Sequence, residues 1–315
     1  MNIPVFDLHC DTVLALLAHN GQWNLQKNGG HIDLNRARKL RGYCQCFACF
    51  TTPFMQERMH ISPETVFEKE LEILRNALQE NPDIIRQAFS PQDVEENLNQ
   101  GVMSAIFTIE GPAGFKFDPG RLEELYRLGF RITSLGWNEK NPLAGSHITG
   151  GGLTDMGRAY IEEAQRLGML VDVSHISDEA FWDIMNVTQA PIIATHSNSR
   201  AVCDHSRNLT DEMFMAICRT GGVAGFNQCA DFVGSDPDLQ ISSDHFLHFM
   251  ELDPDGKHIA LGGDLDGCDV LPKGFSGIDS YPDLADCLRS RGLSEDNLYD
   301  IYWNNALGVM KRCCI

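Results

Sequence analysis

The chain reads as a (β/α)8 TIM barrel, and three observations predict it. Eight apolar runs alternate with amphipathic segments, the pattern of strands that are each followed by a helix. Runs such as Met169-Leu170-Val171-Asp172-Val173 are almost continuously apolar, as a strand covered on both faces must be. Five of the runs end in a side chain able to bind metal. In a barrel the C-terminal strand ends share one face, so groups from five strands can converge there. An open, doubly wound sheet would spread them along its edge. A length of 315 residues fits one barrel. No linker, repeat or low-complexity stretch divides it, so a single domain over 1–315 is expected.

The strands are expected, in order, at 4–9, 43–50, 102–109, 131–135, 169–174, 191–195, 222–227 and 258–263. Helices fill the gaps, and four of them announce their start. Ser62-Pro63 precedes Phe67, Leu71, Leu74 and Leu78 at helical spacing, and Ser90-Pro91 precedes Val94 and Leu98. Ser177 precedes Phe181, Ile184 and Met185, and Ser294 precedes Leu298, Ile301 and Tyr302. In each case the serine oxygen can accept from an unpaired N–H of the first turn. The run Tyr43 to Phe50 carries Cys44, Cys46 and Cys49. These lack the Cys-x-x-Cys knuckles of a structural zinc site and read as small core residues. Cys313-Cys314 reads as a tail.

Composition excludes several roles. The formal net charge of -19 repels nucleic acid and anionic lipid, so neither partner is expected. No apolar run is long enough to span a bilayer, and Met1 to Val5 lacks the basic-then-apolar start of a signal peptide. Without such a start a cytoplasmic protein is expected, and its 11 cysteines are then expected to be reduced thiols. The oligomeric state stays open, with a homodimer among the expectations.

The chemistry lies at the strand ends. His9 and Asp11 are two apart at the end of the first strand, so they face the same way and can share one ion. Glu110 follows an apolar run and precedes Gly111-Pro112; its two oxygens can bridge two ions. His175 and His196 end successive strands, each after a Ser or Thr, and neutral imidazole is a favoured zinc ligand. Asp264 continues the last strand in Gly262-Gly263-Asp264-Leu265-Asp266-Gly267. Asp266 is the weaker candidate there and is expected to support the site or cap the next turn. Three His and three carboxylates make a shell for two divalent ions. The expected cofactor is two Zn2+ per chain, with other divalent metals allowed. Such a set points to a hydrolase that uses metal-bound hydroxide. Arg207, eleven residues past His196, suits a substrate carboxylate. His147, His205, His245, His248 and His258 read as surface or packing residues. No Gly-x-Ser-x-Gly elbow, phosphate loop or His-Glu-x-x-His helix competes.

Taken together, these residues resemble the membrane dipeptidase (renal dipeptidase) family of zinc peptidases, as a bacterial-type member. The resemblance runs nearly end to end. It covers His9-Cys10-Asp11-Thr12, His31-Ile32-Asp33-Leu34, Glu110-Gly111, Val173-Ser174-His175, Thr195-His196-Ser197, Ser206-Arg207-Asn208, Gly263 to Gly267 and Trp303 to Met310. It implies that His9, Asp11 and Asp264 hold one zinc, that Glu110 bridges, and that His175 and His196 hold the second. It also implies a dipeptide substrate, contact between Arg207 and the substrate carboxylate, and acceptance of C-terminal D-residues. Asp264 would carry the proton from water to the leaving amine. Animal members have a substrate-contacting His after the fourth strand. Here the stretch is Thr133-Ser134-Leu135-Gly136-Trp137-Asn138, so Trp137 or Asn138 is expected in that place. The rival readings are a lactonase or deaminase on the same barrel, and a metal- or peptide-binding protein without activity. Lactonases often bridge their metals with a modified Lys; Glu110 in that position favours the dipeptidase.

Overall fold

The computed structural model describes residues 2–314, the side chains of Arg58 and Met59 excepted. Met1 and Ile315, the ends of the expected domain span, lie outside the described residues. All eight expected strands form: β1 (Val5–Cys10), β2 (Tyr43–Phe50), β3 (Met103–Glu110), β4 (Phe130–Ser134), β5 (Leu170–Asp172), β6 (Ile192–Ile193), β7 (Ala224–Phe226) and β8 (Ile259–Leu261). They pair in parallel from β1 through β6, and β7 pairs with β8, which pairs with β1. A parallel bridge between Ala194 and Ala224 joins β6 to β7. There the Ala194 N–H donates to Val223 O at 3.0 Å and the Gly225 N–H to Ala194 O at 2.8 Å. The circuit therefore closes, and the barrel has no free edge.

The cap signals match the structure. The side chains of Ser62, Ser90, Ser177 and Ser294 accept from the backbone N–H of Thr65, Asp93, Ala180 and Asn297. Two pieces go beyond the expected elements. Ile85–Gln87 adds a short strand beside the start of β3. An antiparallel hairpin, Ala144–Ser146 with Gly150–Leu153, follows β4. Its second arm is three glycines and a leucine, a sequence with little intrinsic strand preference.

Alternate residues of the strands fill two cores. Phe6, Leu8, Cys44, Cys46, Ile106, Ile132, Leu170, Ile193, Val223 and Ala260 form one cluster, drawn from seven of the strands and the residue that leads into β7. It fills the barrel interior. The helix Asn305–Cys313, with Cys314 at its C-cap, closes that interior from below, adding Ala306, Val309, Met310 and Cys314. Cys314 is thus not tail; it is buried at 1% exposure. The opposite faces, including Tyr43, Phe47, Cys49 and Phe107, pack on the surrounding helices. Cys44 and Cys46 are core residues as expected. No helix among the described residues is long and apolar enough to cross a membrane.

One irregularity positions the site. In the β1–β2 ladder Asp7 pairs with Gln45, but Cys10 pairs with Phe47. β1 therefore carries one extra residue, a β-bulge. Before the bulge Phe6 and Leu8 face inward and Asp7 faces the helices, where it accepts from the Tyr281 hydroxyl. After it the alternation is reset, and Cys10 joins the outer core. Strict alternation would put His9 on the same face as Asp7. The bulge turns His9 to the inside instead.

Candidate metal centre

The C-terminal mouth of the barrel collects the six nominated residues. His9 Nε2 lies 3.2 Å from Glu110 Oε2, 3.5 Å from Asp11 Oδ2 and 3.8 Å from Asp264 Oδ1. His175 Nε2 lies 3.0 Å from Glu110 Oε1 and 2.9 Å from His196 Nε2; His196 Nε2 is 4.0 Å from the same oxygen. Glu110 thus turns one oxygen to each half. All six residues are buried. His9 Nε2, Asp11 Oδ1 and Glu110 Oε2 have no hydrogen-bond partner, a costly condition unless something else satisfies them.

The supporting bonds fix which nitrogen is free. The Thr195 hydroxyl donates to Asp172 Oδ2 at 2.6 Å and faces His196 Nδ1 at 2.7 Å. With its proton committed to the carboxylate, Thr195 accepts from Nδ1–H, and the Nε2 lone pair of His196 is left open. Asn138 Oδ1 lies 2.8 Å from His175 Nδ1. It can only accept, so His175 also keeps its proton on Nδ1. Two imidazole lone pairs and a carboxylate oxygen therefore point at one place. They would repel each other without a cation between them. On the other half, Asn227 Nδ2 donates to Asp264 Oδ2 at 2.9 Å. This anchors one oxygen of that carboxylate.

Electrostatics carry the same demand. Burial, with Arg207 and neighbouring histidines, pushes His175 and His196 well below the ordinary imidazole range, so both are neutral donors. Burial and the Asp11 charge push Glu110 up to about 8. Burial opposes charge on His9, but Glu110 and Asp11 outweigh it and raise the imidazole well above its usual value. Three carboxylates crowded out of water call for positive charge. The donor set of imidazole nitrogens and carboxylate oxygens fits zinc.

The backbone is shaped around this cluster. His175, Asp264 and Asp266 all have positive φ, at 70°, 54° and 67°, a conformation that costs energy in residues other than glycine. A Cβ at Gly267 would run into Asp11 Oδ2 and Asp264 Oδ1; only glycine lets the chain pass so close. Asp266 accepts from the Thr12 hydroxyl at 2.6 Å and from the His31 N–H at 2.5 Å. It braces the loop behind the cluster.

Trp137 and Asn138 line a cleft of 330 Å³ together with Phe232 and Cys229; Arg207 is not in the lining but lies against Phe232, which is. Arg207 is 4% exposed. It lies over the Phe232 ring at 5.4 Å and donates to Ser197 Oγ at 3.3 Å and His196 O at 3.2 Å. Its Nε–H has no partner. Asn138 is held by two histidines: His147 Nε2 also reaches its Oδ1, at 2.9 Å, while His147 Nδ1 faces Ser206 Oγ at 2.8 Å. His147 therefore belongs to the rim of the site and is not a mere surface or packing residue. It arrives on the hairpin, which local sequence pattern does not reveal. Asn227 and Asp172 also have no sequence signal beyond lying at the ends of β7 and β5.

A family model for membrane dipeptidase (peptidase family M19) matches residues 1–313. An uncharacterised dipeptidase of Schizosaccharomyces pombe is 35% identical over 216 residues, 66% of this chain; the match spans only 53% of that longer protein. A dipeptidase of Aspergillus oryzae is 30% identical over 295 residues, 89% of this chain and 69% of that one. A crystal structure of a metallopeptidase from Rhodobacter sphaeroides, liganded with a phosphinate mimic of the dipeptide L-Ala-D-Ala, superposes with a TM-score of 0.90. It is 25% identical, and the superposition covers 99% of this chain and 100% of that one. With its barrel, its buried ring of imidazoles and carboxylates, and a family match over almost its whole length, the chain belongs to the membrane dipeptidase family of metallopeptidases, M19.

Proposed function

We propose that this metal-dependent dipeptidase works as one barrel domain with two zinc ions, and cleaves dipeptides that carry a free C-terminal carboxylate, those ending in a D-residue included. The observation that carries the two-ion reading is Glu110. Its Oε1 faces His175 and its Oε2 faces His9, so one carboxylate serves both halves. His9, Asp11 and Asp264 would hold one ion, and His175 and His196 the other. Bound there, the ions supply Lewis acidity, making water a nucleophile near neutral pH and polarising the scissile carbonyl.

The chain's own groups do the rest. Asp264, anchored through one oxygen by Asn227, keeps the other toward the cleft. It takes a proton from the attacking water and returns it to the leaving amine. Arg207 holds the substrate carboxylate; its unpartnered Nε–H is a donor awaiting an acceptor, and the contact limits substrates to two residues. Trp137 and Asn138 face the substrate from the cleft wall, Asn138 also fixing His175. The Rhodobacter sphaeroides neighbour is liganded with a phosphinate mimic of the dipeptide L-Ala-D-Ala, which supports D-residues at that position. All eleven cysteines are unpaired, which suits a reducing compartment; the cytoplasm is the proposed one.

The deciding experiment is metal analysis of zinc-loaded protein alongside turnover of L,L- and L,D-dipeptides. Two zincs per chain with cleavage of both sets is expected. One zinc or none would overturn the binuclear centre, and cleavage of L,L-dipeptides alone would overturn the D-residue claim.

A further inference from the structure

The cleft has two unlike sides, and the strand order fixes where they lie. Arg207 follows β6 and Phe232 follows β7. Leu14 follows β1, Phe50 ends β2 and Trp137 follows β4. In a ring ordered β1 to β8, the arc around β2 lies across from β6 and β7. The two groups therefore face each other over the metal centre.

A dipeptide whose carboxylate is held by Arg207 has its C-terminal residue on the β6–β7 side. Its scissile carbonyl is then over the cluster, and its N-terminal side chain extends to the opposite wall. That wall is apolar. The Phe50 and Trp137 rings meet edge to face at 5.2 Å, and Leu14 packs with them on Phe50, Met55 and Val66. The charged residues of the cleft lining are Asp11, Glu110, Asp264 and Asp266. The first three belong to the metal cluster, and Asp266 is spent on Thr12 and His31. Leu14, Phe50 and Trp137 themselves carry no charged group; the carboxylate behind them, Glu70, is fully buried beside the Phe50 backbone, and burial pushes its pKa well up.

We infer that the Leu14–Phe50–Trp137 wall selects the N-terminal residue, and that the preferred substrates are dipeptides with an apolar N-terminal side chain. The inference rests on Arg207 holding the carboxylate. Burying a leucine-sized side chain against such a wall gains roughly tenfold to a hundredfold over glycine. A charged side chain there loses its hydration without a partner and falls below glycine.

The test is kcat/KM for Gly-, Leu-, Phe-, Lys- and Asp-initiated dipeptides sharing one C-terminal residue. Leu and Phe should lead Gly by about tenfold or more, with Lys and Asp behind. Leu14→Asp should then raise the Lys-to-Leu ratio by about tenfold or more, through the new ion pair. Leu14 is half-buried at the cleft edge, and Trp137→Ala gives a second variant, expected to flatten the Phe-to-Gly ratio. A flat or reversed ranking in the wild type overturns the inference. C-terminal amidation in the same assay separates the two claims. If amidated and free dipeptides are cleaved equally well, the Arg207 anchor fails. If amidation abolishes cleavage while the N-terminal ranking is flat, the anchor stands and the wall does not select.

Discussion

The two mouths of the barrel are built from the same eight strands and differ in almost every other respect. The lower mouth is dry. Leu170, Ile193, Val223 and Met310 meet there with exposures of zero, and the buried Asn305 amide beside them has its partners, donating to Gly256 O and Ile259 O. The upper mouth buries six ionisable side chains, leaves three of their atoms without hydrogen bonds and holds three residues at positive φ. In the lower half burial is the driving force. In the upper half burial is a liability, accepted because a carboxylate-rich pocket shielded from solvent is what makes a dication bind and act. Stability and chemistry are thus separated along the strand axis, so substitutions at the two ends should fail in different ways.

The sharpest contrast is expected from Glu110→Gln. Losing the bridging charge should cost about a thousandfold or more in turnover. The metal-free protein should unfold close to the wild-type temperature, because the like-charge contact with Asp11 and Asp264 and the favourable contact with His9 are lost together. Near-normal turnover with two zincs retained would show that the bridge is misassigned. Next comes Asp264→Asn. The amide oxygen can still coordinate but cannot carry a proton, so turnover should fall by about 10²–10⁴ while most of the zinc stays. Equal losses of zinc and activity would reduce Asp264 to a ligand alone. The lower mouth should answer in the opposite sense. Met310→Ala opens a cavity under the interior core and should cost about 2–5 kcal/mol in unfolding free energy, with kcat of the folded enzyme close to wild type. A kcat that fell in step with stability would break the separation of the two ends. The smallest effect is expected at Thr195→Val, which removes the bond that sets the His196 tautomer. Zinc affinity should drop about 10–100-fold, read by competition with a chelator. An unchanged affinity would mean that His196 is oriented by packing alone.

Much of this was legible before any coordinates, and the reason is local. A barrel strand shows itself as an apolar run, and a ligand at its C-terminal end shows itself as the polar residue that stops the run. His9, Glu110 and Asp264 stand out as candidate ligands in that way. What stayed hidden depends on partners distant in the chain. Asp172 reads as one polar residue inside an apolar strand; only the fold brings it against Thr195. Asn227 has meaning only beside Asp264. His147 reads as a surface or packing residue because it belongs to a glycine-rich hairpin with no strand signal, yet it reaches Asn138. The tail reading of Cys313-Cys314 failed for the same kind of reason. The helix Asn305–Cys313 is amphipathic in the ordinary way, but the surface it covers is assembled from strands across the whole chain.

The extra residue in β1 works like a change of reading frame. On either side of it the strand keeps a strict two-residue rhythm, and each rhythm taken alone would be a plain packing pattern. The single insertion lets one short strand give Asp7 to the helical layer and His9 to the chemistry, although the two residues have the same parity. A deletion of one residue there would keep the composition, the hydrophobicity and the strand propensity of the segment. It would nevertheless hand the imidazole to the wrong layer. Count, as much as residue type, is what the first strand contributes to function.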